Sequence, residues 1–291
     1  MMLQAAALGV LLCSVSGFSI QAALENRDEL SGNGTEEDDL SVSSRIERAN
    51  VNVGKSVDGP LVFGDIAVPA GLENADPCTS RGCKWPMSQD GNVYVPYRIA
   101  SAFSFRQRNT IVNALNSFAE STCIRFTPRS RQEDFLDIQS LGGCFSFIGR
   151  LGLSQTVSLD RQGCVFLDII QHEMLHALGF DHEQTRSDRD DHVRILLQNV
   201  IPGQERNFRK IRTNNLGTPY DYMSVMHYGR FDFSRNGNPT IEPIPDRNAI
   251  IGRATRMSRL DIRRVNLLYK CNNTRPSSHV SKPLTKVKDF K

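Results

Sequence analysis

Two stretches of the chain carry hydrophobic residues at helical spacing. Ser104 and Gln107 form a capping-box pattern, and the apolar stripe after them predicts an amphipathic helix that runs to about Ser121. Leu260 to Tyr269 has apolar residues three positions apart and predicts a second, shorter helix. Both stripes are typical of helices that pack one face against a core.

Four short runs predict β-strands, because they are bounded by clusters of Gly, Pro or Ser. These runs are Val93 to Tyr97, Cys123 to Phe126, Asp134 to Gln139, and Thr156 to Leu159. Beyond Gly179 the chain is rich in Gly, Pro, Asn and Arg and has few periodic runs. The pattern therefore predicts strands and a helix first and an irregular region afterwards.

The N-terminus has a different pattern. Met1 to about Ala22 is apolar and ends in small residues, which predicts a secretory signal peptide at residues 1–22. An uncleaved membrane anchor is the alternative, because the run lacks Lys and Arg. No later run is long and apolar enough to span a bilayer. The composition, 291 residues with 39% hydrophobic and 23% charged, fits one globular domain with flanking segments.

Charge divides the chain further. Residues 23–73 contain 11 acidic and 4 basic residues, and the chain from Asn74 onward has a net charge of +10. The acidic segment has few apolar residues and a glycosylation sequon at Asn33, so it is predicted to be a solvated, removable pro-segment. The last residues, 272–291, are basic, carry a sequon at Asn272 and predict a disordered tail. The basic remainder would favour an acidic or glycan-rich partner, although a scattered positive surface is usually only solvated.

Seven cysteines are present, and removal of the signal peptide takes away Cys13. The others form an even set in an oxidising compartment, which predicts disulfides. Spacing leaves the pairing open, although the short gap between Cys78 and Cys83 favours a small local loop. Structural zinc is the alternative, but no CxxC pair supports it.

One segment contains residues with catalytic chemistry. His172, Glu173 and His176 form an HExxH motif, in which both histidines lie on one helical face and can bind the same metal ion. HExxH alone also arises by chance. Here Gly179 and His182 follow. A glycine can adopt the left-handed conformation that ends a helix, which lets the third histidine reach the same ion.

Three neutral imidazoles around Zn²⁺ leave room for water, which is typical of a catalytic rather than a closed structural site. Zn²⁺ acidifies such a water, and Glu173 is placed to take its proton and deliver it to a leaving nitrogen. The residues therefore predict one Zn²⁺ per chain and hydrolysis of peptide bonds. A structural zinc site without activity is the alternative, but it has no use for an acid at position 173.

The motif HEMLHALGFDH resembles the HExxHxxGxxH consensus of the metzincin metalloproteases, and SVMHY at Ser224 to Tyr228 resembles their Met-turn. Glu183, directly after the third histidine, points to the astacin family. The resemblance covers residues 74–271 and is especially marked for the six-cysteine astacins of fish, a group that includes hatching enzymes and nephrosin. It implies an α+β zincin fold, with an N-terminal twisted sheet with helices, an irregular C-terminal half and the active-site cleft between them.

The resemblance also implies roles for individual residues. Met226 would lie beneath the zinc as a hydrophobic base. Tyr228 would be an additional zinc ligand that swings out to stabilise the oxyanion. Outside this motif, both would be ordinary core residues. Glu183 would contact the new N-terminus formed on activation. An edge strand would bind an extended substrate by main-chain hydrogen bonds, through Cys144, Phe145, Ser146 and Phe147.

The cysteine pairing follows from the resemblance as well. The family pairing would join Cys123 to Cys271 and Cys144 to Cys164, and the six-cysteine group would add Cys78 to Cys83. Together these disulfides would join the ends of the domain and hold the strand region before the zinc helix.

The pro-segment contains Val62-Phe63-Gly64-Asp65, which resembles the FxGD aspartate-switch motif of the family with Phe63 one place late. The resemblance implies that Asp65 occupies the zinc position meant for water and keeps the zymogen silent. A simple turn at Gly64-Asp65 is the alternative. Activation would start the mature chain at Asn74. Because Glu73 precedes it instead of the Arg of a trypsin-type site, the sequence does not identify the activating protease.

Three hypotheses for the function follow. The first is a secreted zinc metalloendopeptidase, made as a zymogen, that cleaves extracellular protein or peptide substrates such as egg-envelope proteins. The second is a catalytically silent zinc-containing binding protein on the same scaffold, and the third is a disulfide-rich structural protein. Intact Glu173 and Tyr228 favour the first. We expect a monomer, extracellular or in a secretory granule before release, with no nucleic-acid partner and no membrane contact after signal removal.

Overall fold

The computed structural model describes residues 41–53, 61–68 and 82–271. Within these residues, no helix is both long and apolar enough to cross a membrane. Several predictions lie outside them: the signal peptide, the sequons at Asn33 and Asn272, Cys78, the activation site at Asn74 and the C-terminal tail.

A mixed seven-stranded sheet forms the first half of the described structure, in the order β1-β2-β6-β7-β5-β3-β4. Its strands are β1 (Leu61–Val62), β2 (Ile66–Ala67), β3 (Val93–Ile99), β4 (Ile124–Pro128), β5 (Phe135–Gln139), β6 (Cys144–Phe147) and β7 (Ser154–Leu159). The four runs predicted as strands lie at β3, β4, β5 and β7. Strand β6 pairs antiparallel with β7 on one side and parallel with β2 on the other.

Four α-helices accompany the strands in the described part of the chain. They are α1 (Val42–Asn50), α2 (Phe105–Ser117), α3 (Leu167–Ala177) and α4 (Arg259–Tyr269). Helix α2 begins at Ser104 with the predicted capping box and ends in a 3₁₀ turn at Phe118–Glu120. Helices α2 and α3 pack against each other, and the apolar residues of both belong to the main hydrophobic core.

Helix α1 corrects the prediction that the whole pro-segment is solvated. Ser41 caps the helix, and Val42 and Ile46 are buried in the main core. The segment has too few apolar residues to fold alone. The two that it has are four positions apart and therefore share one helical face, which packs on the rest of the protein.

The region after α3 is irregular, as the pattern predicts. It consists of short 3₁₀ turns, the hairpin of β8 (Val193–Ile195) and β9 (Ile241–Pro243), and α4. A second hydrophobic cluster, which includes Phe208, Tyr228 and Phe233, supports it. The predicted α+β class, with a sheet-and-helix half and an irregular half, is confirmed.

Two disulfides join described cysteines, and they are the pairs that the resemblance implies. Cys123–Cys271 joins the residue before β4 to the chain after α4, and Cys144–Cys164 joins β6 to the segment before α3. Cys83 is also disulfide-bonded, and its expected partner Cys78 lies outside the described residues.

Candidate active site

Helix α3 carries both histidines of the HExxH motif, and both are fully buried. The Nδ1 of His172 hydrogen-bonds to the Val225 carbonyl at 2.8 Å, and that of His176 to the Phe180 carbonyl at 2.7 Å. An N–H donated to a carbonyl fixes the tautomer of an imidazole and leaves its Nε2 lone pair for a metal.

The chain turns back at Gly179, where φ is 102°. The amide of Phe180 donates to the Leu175 carbonyl across this bend. A residue with a Cβ would be strained in this conformation, which explains the glycine. The bend brings His182 Nε2 to 3.3 Å from His172 Nε2.

The three Nε2 atoms converge on one point. His172 Nε2 lies 3.1 Å from that of His176 and 3.3 Å from that of His182. In a tetrahedral zinc site with metal–nitrogen bonds of about 2.0–2.1 Å, ligand atoms lie about 3.3 Å apart. Buried lone pairs held this close are stabilised by a cation between them. The donor set fits zinc, and the predicted three-histidine site is confirmed.

Glu173 lies beside these ligands on the same helix. Its side chain is fully buried, and neither carboxylate oxygen has a hydrogen-bond partner among the residues that the structure describes. Burial first, and then the negative charge of Asp65, raise the pKa of Glu173 well above its ordinary value. A buried carboxyl group without a partner is costly, so the position suits a group that receives its partner, a water molecule, only during a reaction.

Asp65 lies against the histidine cluster, and it connects β1 to β2 through a turn with positive φ at Phe63 and Gly64. One carboxylate oxygen is 2.9 Å from His172 Nε2, and the other is 3.2 Å from His182 Nε2. Burial opposes ionisation of Asp65, but the neighbouring charge of His182 and the hydrogen bonds with the other histidines hold its pKa well below the ordinary value. The turn and the approach to the metal site therefore occur together.

The Met-turn lies directly after the irregular segment. Met226 is buried, and its carbonyl accepts the amide of Glu183, which connects the turn to the residue after the third zinc ligand. The ring of Tyr228 packs against His182 with centroids 4.8 Å apart. The hydroxyl of Tyr228 donates to the Phe63 carbonyl of the pro-segment.

Asp261 of α4 also holds the Met-turn, and no sequence motif had singled it out. Its carboxylate accepts the Ser224 hydroxyl at 2.6 Å and the Val225 amide at 3.0 Å. The same residue completes the capping box that Ser258 begins. The pattern Ser-x-x-Asp before a helical stripe was the available signal, but it indicated only a helix start.

The edge of strand β6, predicted to bind substrate, is covered by the pro-segment. Ile66 and Ala67 of β2 pair with Ser146 and Phe147, and the Ser146 amide donates to the Asp65 carbonyl at 3.0 Å. The prediction placed this strand at an edge. In the full chain the edge belongs instead to the short hairpin of β1 and β2, because the pro-segment adds these strands to the sheet.

Asn50, the last residue of α1, continues this cover. Its side-chain amide accepts the Cys144 amide at 2.8 Å and donates to the Cys144 carbonyl at 2.7 Å. Both hydrogen-bonding groups of one strand residue are thereby satisfied by a single side chain. At Gly143, where φ is 143°, a Cβ would lie 2.4 Å from Asn50 Oδ1, so only glycine allows the contact. No sequence signal pointed to Asn50.

Glu183 has partners that the sequence did not indicate. Its carboxylate pairs with both terminal nitrogens of Arg264, accepts the Asp221 amide at 2.8 Å, and lies 3.4 Å from Arg186. The expected partner, the new N-terminus at Asn74, lies outside the described residues.

Helix α1 reaches two further carboxylates. Hydroxyl groups of Ser41, Ser43 and Ser44 donate to Asp232, which also accepts the Gly229 amide at 2.7 Å. Arg45 forms an ion pair with Asp168, one turn before His172 on α3. The pro-segment therefore contacts the rest of the protein at several polar points in addition to Asp65.

A buried three-histidine zinc site on an HExxH helix, with a glutamate beside it, defines a zinc metallopeptidase. The family model named Astacin, which describes a peptidase family, matches residues 81–270. The chain belongs to the astacin family of metalloendopeptidases.

Relatives from medaka, Oryzias latipes, share much of the sequence. High choriolytic enzyme 1 is 47% identical over 236 residues, which is 81% of this chain and 86% of that protein. Low choriolytic enzyme is 45% identical over 275 residues, covering 92% and 98%. The solved structure of high choriolytic enzyme 1, described as a hatching enzyme zinc-protease, matches with a TM-score of 0.66 at 50% identity, over 68% of this chain and 100% of that one.

Proposed function

We propose that the chain is the zymogen of a secreted endopeptidase that acts on egg-envelope proteins. In this proposal residues 1–22 are a signal peptide, 23–73 a pro-segment, and the mature enzyme begins at Asn74. The medaka relatives named choriolytic and hatching enzymes support the substrate class. The acidic pro-segment and the disulfides support a secretory route.

The position of Asp65 is the observation that carries the zymogen proposal. Its two carboxylate oxygens lie 2.9 and 3.2 Å from two of the zinc-ligand nitrogens, which is the spacing of a fourth ligand. A carboxylate there excludes the water that hydrolysis requires. The hydrogen bond from Tyr228 to Phe63 engages a second catalytic candidate at the same time.

Removal of the pro-segment would free both groups for catalysis. Zinc in this site supplies Lewis-acid polarisation of the scissile carbonyl and acidifies a water molecule. Glu173 takes the proton of the attacking water and delivers it to the leaving nitrogen. The hydroxyl of Tyr228 donates a hydrogen bond to the oxyanion that develops on the carbonyl oxygen.

The substrate backbone would bind along β6. When β2 and Asn50 leave, the amides and carbonyls of Cys144 to Phe147 become available to an extended peptide. Met226 would form the apolar base beneath the histidines, and the buried pocket around Glu183 would receive the new N-terminus.

The test is digestion of isolated egg envelopes by the processed full chain and by its Glu173→Gln variant, with zinc measured in both. We expect cleavage by the wild type, a loss of about 10²–10⁴-fold in the variant, and equal zinc content. Cleavage of other matrix proteins but not of egg envelopes would contradict the substrate class. Equal cleavage by both proteins would contradict the role of Glu173.

A further inference from the structure

A side chain of the pro-segment occupies a recess on the zinc-ligand helix. The guanidinium of Arg45 forms an ion pair with Asp168 and lies over the ring of Phe166, 5.4 Å from its centroid. A carboxylate combined with an aromatic face is a typical arrangement for binding arginine. We call Asp168 and Phe166 the arginine recess.

The arginine recess lies close to the reacting centre. Asp168 precedes His172 by one helical turn on α3, a rise of about 6 Å. Asn50, farther along the helix that carries Arg45, binds the main chain of β6. The next described part of the pro-segment places Asp65 at the zinc ligands. Arg45 is therefore part of one continuous cover over the cleft that the substrate must replace.

Loss of the pro-segment leaves the arginine recess incomplete. One oxygen of Asp168 keeps the Ile169 amide at 2.9 Å, whereas the other loses the guanidinium of Arg45. The Asp168 side chain is only 10% exposed with Arg45 in place, and Phe166 is 47% exposed. A partly buried carboxylate that has lost its counter-ion favours the binding of another cation.

Asp232, the other carboxylate that α1 covers, differs in this respect. Its partners from the pro-segment are hydroxyl groups, and it keeps the Gly229 amide after they leave. Neutral donors give no indication of a charged ligand. The Arg45 contact, in contrast, identifies the charge, shape and stacking surface of the group that the recess fits.

We propose that the arginine recess is a subsite of the mature enzyme that binds an arginine side chain of the substrate, close to the scissile bond. The proposal rests on the proposed function, because it requires that the pro-segment is removed and that peptides are cleaved. Lysine binds less well, because an ammonium group lacks the planar surface that stacks on Phe166.

The test compares matched peptides that carry arginine or citrulline, its neutral isostere, at each of three positions on either side of the scissile bond. For the processed full chain, we expect kcat/KM to favour arginine about tenfold at one position. The difference should lie mainly in KM, because the contact already forms in the ground state. Asp168→Asn should bring the ratio close to one, and Phe166→Leu should reduce it partly.

Asp90→Asn is the matched control, since Asp90 is exposed in the turn before β3, away from β6 in the sheet. This variant should keep the wild-type preference for arginine. Zinc content of each protein shows whether the site is intact. A wild type without preference at any position, or a preference that survives in Asp168→Asn, would overturn the proposal.

A binding measurement covers the case in which nothing is cleaved. A fluorescent peptide of residues 41–53 is titrated with the processed chain, and the same peptide with citrulline at position 45 is the comparison. We expect about tenfold weaker binding of the citrulline peptide, with the difference lost in Asp168→Asn. Equal affinities would overturn the recess. Absence of all cleavage with this difference intact would instead contradict only the proposed function.

Discussion

The zinc ligands depend on groups that lie outside their own motif. His172 is oriented by the carbonyl of Val225 in the Met-turn, and His176 by that of Phe180 beyond the helix end. Glu173 has no such support from described residues, and Asp65 opposite it completes the cluster. At the residue scale, the catalytic groups and their inhibitor therefore form one buried unit whose charges depend on one another.

Replacement of Asp65 tests that unit. Asp65→Ala in the unprocessed full chain should raise basal peptidase activity about tenfold or more, because a charge-assisted contact worth about 1.5–3 kcal/mol is lost. Cleavage of a fluorogenic peptide before and after processing measures the effect.

The matched control is Arg48→Ala, because Arg48 is an exposed residue of the same pro-segment. It should leave the zymogen silent. An Asp65→Ala zymogen as silent as the wild type would count against the switch.

The pro-segment acts on the catalytic region through two kinds of element. The short strand β2 extends the sheet at β6, whereas α1 contributes side chains: Asn50 to β6, the serines to Asp232 and Arg45 to Asp168. Only a few of its residues are apolar, so these polar contacts determine where the helix lies. The docking of α1 is consequently sensitive to single side chains.

Removal of the Asn50 amide should loosen this docking. Asn50→Ala deletes two hydrogen bonds to Cys144, each worth about 0.5–1.5 kcal/mol. We expect amide exchange at Cys144 in the zymogen to accelerate by about tenfold, measured by hydrogen–deuterium exchange. Arg48→Ala should leave it unchanged. Wild-type protection in Asn50→Ala would show that the side chain does not hold the strand.

The docking of α1 should also depend on pH. Burial raises the pKa of Glu47 to about 7, despite a hydrogen bond from the Phe233 amide, and Asp232 adds to the rise. A group whose pKa is raised on docking stabilises the docked state below its ordinary pKa of about 4.5 and loses this contribution as pH rises through 7.

Protection of the α1 amides should therefore fall between about pH 5 and pH 8. The expected decrease is about tenfold for each pH unit that separates the pKa of docked Glu47 from that of the exposed group. Protection factors corrected for intrinsic exchange measure this. Glu47→Gln should remove the dependence, since glutamine does not titrate. Parallel curves for the two proteins would contradict the assignment.

At the scale of the whole molecule, the cleft depends on the relative positions of two halves that are built differently. The sheet-and-helix half has a large apolar core, whereas the irregular half relies on a smaller cluster and on polar contacts such as Glu183 with Arg264. Cys123–Cys271 connects β4 of the first half to the end of α4 in the second, across 148 residues of sequence. This link compensates for the small core of the second half.

Loss of that disulfide should destabilise the full chain markedly. Cys123→Ala with Cys271→Ala is expected to cost about 2–5 kcal/mol, and Tm should fall by roughly 2–4 °C for each kcal/mol lost. Cys144→Ala with Cys164→Ala, which opens a loop of 20 residues, should cost roughly 2 kcal/mol less, because a shorter loop restricts the unfolded chain less. Thermal unfolding of both variants gives the comparison. An unchanged Tm without Cys123–Cys271 would contradict the linking role.

The sequence by itself determined the zinc site and the class of enzyme. The three histidines, Glu173 and Gly179 lie within 11 consecutive residues, so local helix geometry and one glycine turn suffice to bring them together. Strands and helices with clear periodicity, such as β3 and α2, were predictable for the same reason. Only the tertiary structure decided the contacts of Asp65 with the histidines, Asn50 with Cys144, and Arg45 with Asp168. These pairs are separated by about 100 residues, and a polar side chain carries no sign in its local sequence of the distant group that it meets.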